Sequence, residues 1–343
     1  MKNISVCIIS KNESKSIGMC LEALKNMPVE IVVVDTGSTD NTVSIAKNYT
    51  DKVFSFEWCD DFSEARNYAA KMASNNYIVA LDCDEFIEKF STVEVVNFLK
   101  SNPLGVGTIT LENLVHSGTT VSKAFADVGR VYDRRFCHFV NRVHEQIEPI
   151  GKGTKIIGKL SATGIHVGYL LDKDAAKNKN ERNIRLLLME IEENDKDPYV
   201  FYQLAHSYSA IGMKEEAYVA RKKALALNPS PKNPYVEDLV REYCDSCMEH
   251  GAFEDALVIE NYYDDMCDSA DYMFELGQVY FANGRIDDSL LAFEAATVAP
   301  NVHAEGANTF FPLHAMSVIY ESLGNMEKAK ACEDKAQEYL AKR

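Results

Sequence analysis

The run YIVAL, Tyr77 to Leu81, constrains the fold of this chain more than any other stretch, because it delivers three acids, Asp82, Asp84 and Glu85, at its carboxyl end. A short apolar run bounded by polar residues suits a strand covered on both faces of a sheet, the usual state of parallel strands. Open α/β sheets bind their ligands in the crevice outside the carboxyl ends of the strands. Two aspartates one residue apart at that edge present the oxygen donors that hold Mg2+, with water and substrate phosphates as the remaining ligands. A D-x-D by itself also suits a solvated acidic turn, so neighbouring segments have to decide between the two.

Those segments repeat the pattern. Ile4 to Ser10 reads as a strand, followed by Lys11, Asn12 and Glu13 at a turn and an amphipathic helix around Ile17 to Leu24. A second strand from Glu30 to Val34 ends at Asp35. In the TGSTDNT that follows, Gly37 permits a tight turn and Ser38 or Thr39 offers an N-cap for a helix through Val43 to Lys47. A third strand, Lys52 to Phe56, precedes EWCDDFSEARNYAA, where Asp61 or Ser63 caps a helix carrying Arg66 and Asn67 on its first turns. Arginine there suits a phosphate or a flat base. Strand, loop and helix in alternation predict a doubly wound parallel sheet, an α/β fold in which Asp35, Arg66, Asp82 and Asp84 share one edge. Neither G-x-G-x-x-G nor a Walker loop follows the first strand, so a nucleotide would have to be held by side chains.

CIISKNE, IVVVDTGSTDNT, FEWCDDFSEARN and LDCDE, in that order over most of residues 4–86, together resemble the amino-terminal half of family-2 glycosyltransferases with the GT-A fold. The resemblance is to the subgroup fused to tetratricopeptide repeats, which includes sublancin-type peptide S-glycosyltransferases. It implies a nucleotide-sugar site with Asp35 and Arg66 against the base and Ser10, Asn12 and Glu13 lining its pocket. It further implies Asp84 on a metal, Mg2+ or Mn2+, and Asp82 on the ribose or the metal.

Residues 104–170 alternate enough to predict paired strands, with Gly118 turning between them. Arg130, Arg134, Arg135 and Arg142 follow closely. NRVHEQIEP resembles the family's V-H-E-Q-I segment, although Asn141 and Arg142 stand where relatives commonly carry Gly and a variable residue. That likeness implies Glu145 as the catalytic base, with His144 beside it. ATGIHVGYL resembles the family's I-x-H-x-G-Y element and implies His166 as a third metal ligand or a donor to the leaving diphosphate, where Arg130 or Arg142 would add positive charge. Read without the resemblance, Glu145 also suits a solvated glutamate, and His166, between Ile165 and Val167, a hydrogen-bonded core histidine.

From Tyr199 onward the periodicity is helical and the chain becomes self-similar. Gly212, Gly251, Gly284 and Gly324 each follow an apolar segment, with Ala217, Ala256, Ser289 and Ala329 five residues later and Tyr208, Cys247, Tyr280 and Tyr320 four residues earlier. These spacings scatter around the roughly 34-residue tetratricopeptide period. Small residues at the recurring place let antiparallel helices approach closely, and Pro229 and Pro300 end second helices. Stacked hairpins leave a concave face of the kind that recognises an extended peptide or a second subunit. The expected organisation is a GT-A domain over 1–170, a helical linker over 171–197 in which Arg182 and Asn183 resemble a family R-N-x-x-L-L pattern, and an all-α repeat domain over 198–343.

Charge bounds the partners. The formal net charge is -16, and it is concentrated: residues 1–170 carry 18 basic and 20 acidic side chains, the remainder 18 and 32. An acidic second half disfavours nucleic acid and suits a basic segment. The nine cysteines are irregularly spaced, and no signal peptide or membrane-spanning run is recognisable, which predicts a cytoplasmic protein with reduced thiols. Cys244 and Cys247 form a C-x-x-C without a second pair and read as helix interior. The expected activity is metal-dependent, inverting transfer of a hexose from a UDP-sugar to a Ser, Thr or Cys side chain of a peptide or protein, with a homodimer formed through the repeats. The alternatives are a cell-surface glycan or lipid-linked acceptor, or a non-catalytic repeat scaffold.

Overall fold

In the computed structural model, which describes residues 3–117, 120–167 and 173–341, the apolar runs of the first half become strands where their patterning predicts them. Strands β1 (Ile4–Ser10), β2 (Glu30–Asp35), β3 (Val53–Ser55) and β4 (Tyr77–Leu81) lie side by side in the order β3-β2-β1-β4, all parallel. Their register aligns the carboxyl ends: Ser10 pairs with Asp35, Asp35 with Ser55, and Ile8 with Leu81.

Beyond β4 the sheet turns mixed, and the paired strands expected over 104–170 form. Strands β6 (Gly105–Ser117) and β7 (Thr120–Asp133) pair antiparallel, and β7 lies antiparallel on β4. Successive neighbouring strands that run back on each other pair in that sense, whereas a parallel return needs a long crossover. Strand β10 (Ile156–His166) runs parallel to β6, and β5 (Glu85–Lys89) closes the edge antiparallel to β10. The result is a mixed eight-stranded sheet, β3-β2-β1-β4-β7-β6-β10-β5. Strands β8 (Cys137–Val140) and β9 (Gln146–Pro149) form a separate antiparallel ribbon, so the turn between them carries residues 141–145. The expected turn residue Gly118 lies outside the described residues.

Alternating side chains of β1 serve two cores. Val6 and Ile8 pack with Ile17, Leu21 and Leu24 of α1 (Ile17–Leu24) and with Val95 and Leu99 of α4 (Thr92–Ser101). Cys7 packs on the other face with Ala69 and Ala70 of α3 (Phe62–Met72). Helix α3 is capped by Asp61, whose carboxylate accepts from the Glu64 amide at 3.0 Å, while Ser63 only donates to that same oxygen. The expected Ser38 or Thr39 cap on α2 (Thr42–Ala46) is absent: Asn41 is the N-cap, without a side-chain bond, and Asp40 takes the Thr42 amide. Ser38 and Thr39 sit too far upstream to reach the first free amides of that helix.

The chain divides into units Met1–Glu190 and Ile191–Arg343, so most of α5 (Lys173–Glu193) counts with the first. The second unit is helical: α6 (Pro198–Ala210), α7 (Lys214–Ala226), α8 (Tyr235–Glu249), a 3-10 segment (Asp255–Tyr262) running into α9 (Tyr263–Met266), α10 (Ala270–Ala282), α11 (Ile286–Val298), α12 (Phe310–Ser322) and α13 (Met326–Ala341). Gly212, Gly251, Gly284 and Gly324 all take positive φ, between 68° and 80°. After each, the next amide donates to the carbonyl of Tyr208, Cys247, Tyr280 or Tyr320. One turn geometry thus closes four hairpins, which explains why glycine recurs at that place. Ala217, Ala256, Ser289 and Ala329 are buried, as are Cys244 and Cys247 within α8. No helix among the described residues is long and apolar enough to cross a membrane.

Candidate active site

The aligned strand ends hold a ring of polar side chains. Asp35, 7% exposed, accepts through Oδ2 from the Gly37 and Ser38 amides at 3.1 and 3.0 Å, a turn that Gly37 permits with φ of 105°. Its Oδ1 is buried and has no hydrogen-bond partner among the described residues. Asn12, with φ of 59°, ties the loop after β1 to the loop after β2: its amide donates to Ser38 Oγ and its Oδ1 accepts from the Thr39 amide, both at 2.8 Å. Ser10 is buried beneath, and its carbonyl accepts from the Thr36 amide. The Glu13 carboxylate accepts from Ser16 Oγ at 2.6 Å. Burial, helped by Asp84, Asp82 and Asp40 and opposed by the Ser16 hydroxyl, raises the Glu13 pKa.

At the end of β4 the charges interlock. The Arg66 side chain, 7% exposed, donates from Nη2 to Asp82 Oδ1 at 2.7 Å and from Nε to Glu145 Oε1 at 2.6 Å. Its Nη1 is buried without a hydrogen-bond partner, and its guanidinium lies 5.4 Å from the Phe139 ring centroid. Burial works against the Arg66 charge, but the two carboxylates outweigh it and raise its pKa. Arg130 donates to Asp82 Oδ2 at 2.9 Å and grips the buried Glu85 through both Nη2 and Nε. Glu85 in turn accepts from the Asp82 amide. Burial penalises the Asp82 charge, yet Arg66 and Arg130 hold its carboxyl well below the usual range. Two guanidiniums therefore occupy both Asp82 oxygens and fix its rotamer.

Asp84 is set apart from this network. Its Oδ2 lies 3.3 Å from His166 Nε2, while His166 Nδ1 lies 2.8 Å from the Oδ1 of the buried Asn113. An amide oxygen only accepts, so Nδ1 carries a proton and Nε2 is the atom turned to the carboxylate. Burial disfavours a charged ring, but Asp84, with Glu85 and Asp82 behind it, raises the His166 pKa. A proton on Nε2 or a cation satisfies both groups. A carboxylate beside an imidazole whose other nitrogen is held by an acceptor is also a donor set that fits a divalent metal. Asp82 fits less well, since both oxygens are bonded to arginine, and no group of three or more His, Cys, Asp or Glu that could hold a metal is found among the described residues.

The turn between β8 and β9 brings Glu145 to Arg66 from 79 residues away. It is sharply bent, with Asn141 at φ 74° and His144 at φ 55°. At this turn the Arg142 amide donates to Glu190 Oε2 and its Nη1 to the Asp60 carbonyl. Arg134 caps the end of α3 through the Ala70 and Ala73 carbonyls, and Arg135 grips Asp133. The structure thus gathers Arg66, Asp82, Arg130 and Glu145 into one network, sets Asp84 against His166 beside it, links Asn12 to Asp35 through Ser38, and places Arg142 at the turn. Glu85 and Asn113, given no role from sequence, complete the network. Glu85 belongs to the acidic trio at the end of the Tyr77 run, whereas Asn113 carries no local signal.

Residues 5–127 match the family described as glycosyl transferase family 2, and residues 198–231 and 313–341 match the tetratricopeptide repeat. The chain is 27% identical over 229 residues to the SPbeta prophage-derived glycosyltransferase SunS of Bacillus subtilis, covering 65% of this chain and 53% of that protein. It is 31% identical over 170 residues to an uncharacterized glycosyltransferase of Rickettsia typhi, covering 47% and 57%. A TPR repeat-containing protein of Synechococcus elongatus is 40% identical over 85 residues, 25% of this chain and 21% of that one. The chain therefore spans little more than half the length of SunS and the Rickettsia relative, and less of the third. Among solved structures, the crystal structure of MamA aligns with a TM-score of 0.42 at 19% identity, covering 50% of this chain and 94% of MamA.

Proposed function

We propose that this chain, a family-2 glycosyltransferase domain followed by tetratricopeptide repeats, transfers a hexose from a UDP-sugar to a peptide or protein side chain with inversion at the anomeric carbon. The observation that carries the reading is the Arg66 bridge, which joins Asp82 at the end of β4 to Glu145 on the β8–β9 turn within a domain matched to that family. A donor-side acid and an acceptor-side base are held by one guanidinium.

In this reading the unpaired Oδ1 of Asp35 takes an N–H of the base, in a pocket closed by Asn12 and floored by Ser10, with Glu13 beside it. Asp82, immobilised by Arg66 and Arg130, faces the ribose. Asp84 and His166 would hold Mg2+ or Mn2+, which when bound neutralises charge developing on the leaving diphosphate. Glu145, fixed by Arg66 Nε through Oε1, presents the carboxylate that would accept the proton of the attacking hydroxyl or thiol. A single displacement on the face opposite the leaving group inverts the configuration. The peptide acceptor is supported by the likeness to SunS, by the acidic repeats and by the concave face that stacked hairpins provide. The nine free cysteines support a reducing compartment such as the cytoplasm. A homodimer through the repeats belongs to the same proposal.

The test is mass spectrometry of candidate basic peptides and of glycan acceptors incubated with the protein, UDP-glucose or UDP-N-acetylglucosamine, and Mn2+, beside Asp84→Ala. Transfer to peptide that Asp84→Ala loses supports the reading. Transfer to glycan alone overturns the acceptor, and an absence of UDP-sugar binding and turnover overturns the enzyme.

A further inference from the structure

Helix α5, expected as a linker, instead grips the two turns that flank the acceptor side of the site. Arg185 makes paired bonds of 2.9 and 2.7 Å to Asp60, itself at φ 60°, and Glu190 accepts the Arg142 amide at 2.9 Å. Those turns are joined to each other, because the Phe62 amide donates to the Arg142 carbonyl at 2.8 Å. Just before these anchors on α5, the Arg182 guanidinium lies 4.9 Å from the Phe62 ring centroid. Asn183 is 4% exposed and meets His144, the residue before Glu145.

The direction of the bonds determines the histidine. Arg182 Nη2 donates to Asn183 Oδ1 at 3.1 Å. Arginine has no acceptor, so this bond assigns the oxygen of the amide and turns its NH2 toward His144 Nε2, 3.5 Å away. A nitrogen that receives an N–H carries a lone pair, which leaves the proton of the neutral ring on Nδ1. We infer that Arg182 and Asn183 are positioning residues that lock His144 as the Nδ1–H tautomer and thereby hold the turn that presents Glu145 to Arg66. The α5 helix is then part of the catalytic unit. The charged groups facing this turn include Glu145, Arg66 and Arg142, with Arg182, Arg185 and Glu190 from α5 and Asp60.

The tautomer is independent of the glycosyltransferase reading, while its effect on turnover rests on it. The full chain, labelled with 15N histidine and assigned with His144→Gln, is examined at about pH 8, where an ordinary histidine is neutral. The expected His144 spectrum has Nε2 in the unprotonated range and Nδ1 protonated. Asn183→Asp, which keeps the shape but cannot donate, is expected to move the proton to Nε2. It should also lower kcat for Mn2+-dependent UDP-glucose hydrolysis about tenfold or more, the scale for losing a group that orients a functional histidine, with KM for UDP-glucose unchanged. A wild-type His144 protonated on Nε2 overturns the inference, whether or not the variant folds. A ring unchanged in Asn183→Asp, or a switched ring with full kcat, overturns it too. Wild-type protein that hydrolyses no UDP-sugar counts against the proposed function, and the spectrum still decides the tautomer.

Discussion

Glu275 offers a sharp test of how the repeats are held together. It lies on α10, is 5% exposed, and its carboxylate accepts from Gln278 Nε2 at a long 3.3 Å. Burial, with Asp245 nearby and Arg241 only partly offsetting, pushes its pKa up from 4.5 to about 8. Folding therefore holds a proton that the unfolded chain gives up. The sign follows: there is no penalty below the unfolded pKa, stability falls as pH rises from 4.5 toward 8, and the full penalty persists above that. At about 1.36 kcal/mol per pH unit, the penalty is about 1 kcal/mol near pH 5, about 3 near pH 7, and between 4 and 5 near pH 9. Glu275→Gln keeps an acceptor for Gln278 and has no charge to desolvate. Denaturant unfolding of the full chain and of this variant across that range should show the variant gaining with pH by these amounts. A difference that stays flat between about pH 5 and pH 9 would refute the argument, since a purely steric effect has no reason to titrate.

Three further outcomes follow from local geometry. Arg66→Lys keeps the charge but cannot bridge Asp82 and Glu145 together, so it should cost about 1.5–3 kcal/mol in denaturant unfolding, the worth of one charged hydrogen bond. Gly277→Ala would place a Cβ 2.5 Å from the Phe293 ring across the α10–α11 hairpin. Overpacking of that kind costs about 1–3 kcal/mol, against about 1 regained in helix propensity, so thermal unfolding should show no net stabilisation. Asp61→Ala removes the α3 cap and should cost about 1 kcal/mol, measured as faster amide exchange in the first turn of α3.

What the sequence determined by itself is local and periodic. The runs at Ile4, Glu30 and Tyr77 become β1, β2 and β4 because four to seven apolar residues ending in polar ones have few other homes in an α/β sheet. The repeats were legible because each glycine must take positive φ at one turn, and that demand recurs in the chain. The tertiary structure alone decided the rest. Strand β5 begins at Glu85 and lies antiparallel to β10, pairing Glu85 with His166 and so setting His166 against Asp84, a matter of strand register that no local pattern encodes. The Arg66–Glu145 bond spans 79 residues and depends on the β8–β9 turn. Asn183, on a segment that reads as linker, reaches His144 only because α5 folds back onto that turn. Side-chain direction and long-range closure, rather than residue type, turn a set of strand-end acids and arginines into one connected site.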